Sequence, residues 1–176
     1  MSEGYIAKLQ KKASEKLITF KEDLYKKIIT LNLLYWDDTV IMINTKRGCL
    51  RFYGDEKIAY YTAHNHKDEE GIKEDGILNT LSNNVVVIHD HNKINYKYSY
   101  QNIECIVHLI RDLEKCKNNT CHEWCKKFKS LVQKIIHDRN ELISRDEIIE
   151  NFDIEYINNF DSQYENILYK IFYIMQ

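Results

Sequence analysis

Four consecutive β-branched residues, Val85-Val86-Val87-Ile88, constrain this chain more than any other stretch. Such a run suits a short strand buried on both faces, as in a parallel or mixed sheet covered by helices. It stops abruptly at His89-Asp90-His91. In open α/β sheets, the carboxyl ends of central strands are where ligands and catalytic groups gather. A carboxylate there is part-buried, and leaving it unpaired is costly, so a bound cation would stabilise it. The plain alternative is a solvated loop aspartate following a core strand.

The preceding segment, Leu33 to Asn44, reads L-L-Y-W-D-D-T-V-I-M-I-N and is rich in residues that favour a pleated sheet. Asp37 and Asp38 sit in its middle, an odd place for charge. Neighbouring strand residues point to opposite faces, so only one of the two shares a face with Tyr35 and Thr39. Polar turns at Thr45–Gly48 and Gly54-Asp55 then predict three consecutive antiparallel strands, 33–44, 48–53 and 57–64. A helix is predicted over 67–81, with Ile72, Ile77, Leu78 and Leu81 inward and Gly71 and Gly76 weakening it. After the β-branched run come a Tyr-rich loop, a short strand near Asn102 and a helix from Cys105 to about Lys117.

The flanks are helical. Ile6, Leu9, Ala13, Leu17, Phe20, Leu24, Ile28 and Leu31 recur at steps of three and four, which predicts one long amphipathic helix. Its apolar stripe has to pack on the sheet or on a partner chain. The absence of proline favours long uninterrupted helices. Thr120-Cys-His-Glu123 and Ser144-Arg-Asp-Glu147 read as capping boxes. The first opens a helix with Trp124, Phe128, Leu131, Ile135 and Leu142 along one side. The last helix starts near Asp153, with Ile157, Tyr164, Leu168 and Ile171 inward.

This order of elements is that of an α/β protein with a ribonuclease-H-like mixed five-stranded sheet flanked by helices. In that fold the first and fourth strands are neighbours, so Asp37 and Asp90 would face one another. The chain divides into an N-terminal amphipathic helix (1–32), a ribonuclease-H-like core (33–117) and a helical region (118–176). A net charge of −2 gives no global basic field for nucleic acid, so any DNA-binding surface has to be a local patch. No secretory signal or membrane-length apolar run is seen, which predicts a cytoplasmic protein whose five cysteines are reduced.

Several stretches together resemble the insertion-sequence 66 family of bacterial transposases. The opening M-S-E-G-Y-I-A-K-L-Q-K-K-A-S-E-K-L is similar to the family's helix before the catalytic core. Y-W-D-D-T-V-I-M-I-N-T-K-R-G looks like its first catalytic strand, with Asp37 as first triad acid and Asp38 in the place of a usual Glu. V-V-V-I-H-D-H-N looks like the second catalytic strand, with Asp90 as second acid. E-C-I-V-H-L-I-R-D-L is similar to a family helix carrying Cys, His and Arg, here Cys105, His108 and Arg111, with Asp112 where Glu is common. The helices after Thr120 look like the family's helical insertion.

The resemblance implies a DDE-type transposase core that cuts and joins phosphodiesters with Mg²⁺ or Mn²⁺ held by Asp37 and Asp90. It implies DNA as partner, both mobile-element ends and target, and allows a homo-oligomer. The sequence also departs from the pattern. The family's Tyr after the second Asp is displaced, with Tyr96 nearest, and Cys49 replaces an aromatic. The third acid belongs to an Asn-Asn-x-x-Glu motif, but Ser162 follows Asn158-Asn159 at that place. A chain cut short before its third carboxylate, inactive alone, is therefore expected. The alternative is a non-catalytic remnant serving as an interaction or DNA-docking module.

Other polar residues have competing readings. Asp38, His89, His91, Tyr96, His108 and Arg111 are candidates to support the acids or touch DNA. For His89 and His91, solvent exposure is the default, and for Arg111 a structural ion pair. Cys116, Cys121, His122 and Cys125 do not have the spacing of a standard zinc knuckle. Cys121 and Cys125 are read as sharing a helical face with core residues.

Overall fold

The computed structural model describes residues 2–65, 67–145 and 152–174, with side chains through residue 171. The chain forms two compact units, Met1–Cys105 and Ile106–Gln176. The helix that the sequence reading placed at the end of the core thus groups with the second unit.

The first unit is α/β. Its strands are β1 (Leu33–Ile43), β2 (Lys46–Gly54), β3 (Ala59–His64), β4 (Val86–His89) and β5 (Gln101–Glu104). They form one mixed sheet in the order β3-β2-β1-β4-β5. β1, β2 and β3 are antiparallel neighbours, whereas β1, β4 and β5 run parallel. Strand alternation aims Leu34, Trp36, Tyr53, Tyr60, Val85 and Val87 at one face. Ile28, Ile72, Ile77 and Leu78 close over that face to complete the core. Burying each large aliphatic side chain in this way contributes about 1.5–3 kcal/mol.

β4 is not buried on both faces as its composition predicts. Val87 and His89 are buried, while Val86 and Ile88 are half-buried. One face therefore carries the core, and β-branching serves the pleat rather than symmetrical burial.

The predicted N-terminal helix is broken at Leu17 into α1 (Glu3–Lys16) and α2 (Ile18–Ile28). The Leu17 N–H is shared by the carbonyls of Ala13 and Ser14, a tightened last turn. The β-branched pair Ile18-Thr19 follows, a weak place for helix continuation. Only Ile28 of the stripe is buried, and Ile6, Leu9, Leu17 and Phe20 are exposed. The predicted 67–81 helix shortens to α3 (Glu69–Asp75) followed by a 3₁₀ turn, Leu78–Thr80. Asp68 caps its start by accepting from Gly71 N at 3.0 Å. Gly76, at φ +68°, ends it in the left-handed region.

The second unit contains α4 (Ile106–Thr120), α5 (Glu123–Ser144) and α6 (Ile154–Ile174). The first capping box does not form. Thr120 instead closes α4, its hydroxyl donating to Cys116 O at 2.7 Å, and His122 precedes α5 without a side-chain cap. Cys121 occupies the turn at φ +57° and is exposed, so it shares no helical face with Cys125. The second box falls partly on 146–151, outside the described residues. On α6 the inward stripe is Tyr156, Phe160, Tyr164, Ile167 and Ile171, while Ile157 and Leu168 face outward. The Phe128 and Tyr164 rings meet at 5.4 Å, and Tyr156 donates to Asp138 at 2.6 Å.

Candidate functional site

β1 and β4 are parallel neighbours with Tyr35 opposite Ile88. Partners across a parallel pair share a face. Carried on by two residues, the register sets Asp90, the first residue after β4, level with Asp37. Asp37 lies on the face opposite Trp36, and strict alternation past His89 would put Asp90 on that same face. Asp37 is exposed and Asp90 half-buried. Asp37 Oδ1 accepts from Asp38 N at 2.8 Å. Asp90 Oδ1 accepts from Asn92 N at 3.1 Å and from the Asn95 amide at 2.5 Å. The bond to Asn92 N makes an Asx turn, which bends the chain after β4, and the Asn95 amide braces the same carboxylate.

Hard carboxylate oxygens, one from the middle of β1 and one just past the end of β4, are the donor type that Mg²⁺ and Mn²⁺ prefer, with water completing the shell. Among the described residues, no group of three or more His, Cys, Asp or Glu is arranged to hold a metal ion.

The remaining candidates separate. Asp38 points to the core face, the face its neighbour avoids. Its Oδ1 accepts from Arg51 Nε at 2.8 Å, so its role there is an ion pair. His89 is fully buried rather than solvent-exposed, because its strand position faces the core beside Trp36. One of its ring nitrogens faces Asp90 O, and Nε2 lies 2.9 Å from Asn102 Oδ1. It therefore ties the end of β4 to β5. Its edge meets Tyr96 at 4.9 Å. The exposed Tyr96 donates to Glu104, which pushes its phenol up to about 12. His91 is exposed. His108 and Arg111 lie on α4 in the second unit, half-buried and exposed.

Sequence reasoning missed a buried charge network on the core face. Arg51, wholly removed from solvent, bonds Asp38 and, through Nη1, Asp75 Oδ2 at 2.8 Å. Tyr53 also donates to Asp75 Oδ2 at 2.8 Å. His64 places Nε2 2.6 Å from Asp75 and Nδ1 3.1 Å from Glu74. Burial works against the Asp75 charge, but bonds from Arg51, His64 and Tyr53 outweigh it and hold its carboxyl below the usual range. Burial and the neighbouring carboxylate push the Tyr53 phenol up. The signal was available in C-L-R-F-Y, where period two puts Arg51 on one face with Cys49 and Tyr53.

Comparison with protein families, with characterised proteins and with solved structures gives no match.

Proposed function

We propose that this chain is the catalytic-core part of a DNA transposase, with Asp37 and Asp90 as two carboxylates of a divalent-metal site. The observation that carries the reading is the parallel pairing of β1 with β4, whose register, carried on by two residues, brings Asp90 level with Asp37. Two further points support it. The strand order β3-β2-β1-β4-β5, with β1 parallel to β4, is compatible with a ribonuclease-H-like sheet. The motifs around both acids resemble those of insertion-sequence 66 transposases.

In this reading the two carboxylates hold Mg²⁺ or Mn²⁺. The bound metal supplies Lewis-acid activation for phosphodiester cleavage and joining. Asp37 presents its charge from the middle of a rigid strand. Asp90 is held by the Asx turn, and His89 anchors the backbone beneath it. DNA is the substrate. Strand transfer by this chain alone is not expected, because Ser162 stands where the resemblance calls for the third acid.

The test is metal-dependent stability. Mn²⁺ or Mg²⁺ should raise the melting temperature of the wild type and leave an Asp37→Asn, Asp90→Asn double variant unmoved. An equal rise in both would overturn the assignment. One observation favours a second reading, a non-catalytic docking module: Asp90 Oδ1 is already engaged by Asn92 and Asn95. DNA binding that is indifferent to divalent metal and survives in the double variant would select it.

A further inference from the structure

The α4–α5 hairpin carries a feature that phosphodiester chemistry does not use. Cys116 Sγ and Cys125 Sγ lie 2.9 Å apart across the turn. A disulfide needs about 2.05 Å, so closure requires a sub-ångström approach. Cys116 is half-buried and Cys125 wholly buried. Thr120 Oγ1, fixed by its bond to Cys116 O, lies 3.8 Å from Cys116 Sγ. Exposed Cys121 lies between the pair in sequence. Zinc does not account for the arrangement, since no three-ligand group exists among the described residues.

We propose that Cys116 and Cys125 form a peroxide-oxidisable dithiol that closes reversibly to a disulfide and locks the hairpin. In the first step the Cys116 sulfur attacks the hydroperoxide. The O–O bond breaks, the departing oxygen takes the Cys116 proton and leaves as alcohol or water, and Cys116 becomes a sulfenic acid. In the second step the Cys125 sulfur attacks Cys116. The S–O bond breaks, and the departing oxygen takes the Cys125 proton and leaves as water. Two thiols and one hydroperoxide thus give one disulfide, one alcohol or water, and one water. A low-molecular-weight thiol reverses it by exchange. Burial and the adjacent Cys116 sulfur push the Cys125 thiol up to about 11, which slows attack by free thiolate. Contact with Cys116 offsets this, because the attack is intramolecular.

The experiment treats the full chain with hydrogen peroxide, then alkylates remaining thiols and maps the products by non-reducing peptide mass spectrometry. Wild type and Cys121→Ser should each lose two alkylatable thiols, joined as Cys116–Cys125, and recover them with dithiothreitol. Cys116→Ser and Cys125→Ala, checked for retained helix content by circular dichroism, should form no intramolecular disulfide. A Cys116–Cys121 or Cys121–Cys125 bond as the main wild-type product would overturn the proposal. So would over-oxidation of Cys116 to sulfinic acid in wild type with Cys125 still alkylatable.

Discussion

Arg51 Nη1 donates to Asp75 Oδ2 at 2.8 Å with both side chains out of water, at 0% and 1% exposure. A guanidinium so placed stays charged with or without its partners, so losing a carboxylate leaves a buried charge uncompensated. Removing one partner of a buried pair typically costs about 3–5 kcal/mol. Asp75→Ala should therefore lose several kcal/mol of stability in urea unfolding. Replacing both, as Arg51→Met with Asp75→Leu, should cost less than the sum of the single changes. Additive losses would mean that the two do not act as a pair.

Acid should unfold the sheet unit through the same carboxylate. The folded Asp75 carboxyl lies below its ordinary value of 3.8. A depressed carboxyl contributes stability that is present above its unfolded value and lost as pH falls through the folded one. Urea midpoints measured from about pH 5 down to about pH 2 should fall steeply, and Asp75→Asn should flatten that arm from a lower starting stability. A wild-type midpoint unchanged across this window would contradict the assignment.

Gly54 closes β2 against the next turn. A Cβ built there would stand 2.1 Å from Ile58 O, a backbone atom that cannot step aside. Ile58 O already accepts from Asp55 N at 3.0 Å, so relief would break the turn as well. Gly54→Ala should cost more than about 3 kcal/mol, within the class of changes that force backbone strain. Gly4→Ala meets nothing within 4 Å and should be neutral or slightly stabilising. Thermal melts of the two variants check the contrast.

Strands were legible because alternation and β-branching are local. The boundaries 33–44, 48–53 and 57–64 lie within a few residues of β1, β2 and β3, and the adjacency of β1 and β4 matches the expected order. The helices were less legible. Apolar steps of three and four run straight through Leu17, where hydrogen bonding tightens and the helix breaks. Inward stripes on α6 slipped because Tyr156 and Phe160, amphipathic or bulky, packed where Ile157 was expected. At the site, the parity of Asp37 and Asp38 was known to split, but which faced the core depended on Arg51. The burial of His89 follows from its alternation with Val87, which carries the core face to the last residue of β4.

Asp90 combines a turn role with a proposed metal role, and two substitutions separate them. Asn retains a side-chain oxygen for Asn92 N and for Asn95, whose side chain is nearly buried. Ala removes that acceptor and strands the Asn95 amide, which costs about 1–3 kcal/mol. In metal-free buffer, Asp90→Asn should therefore stay closer to wild-type stability than Asp90→Ala. Both should lose stabilisation by Mn²⁺, because a neutral amide is a poor substitute for a carboxylate on a hard cation. Retention of the Mn²⁺ effect in Asp90→Asn with its loss in Asp90→Ala would show that the turn, and not the charge, governs the metal response.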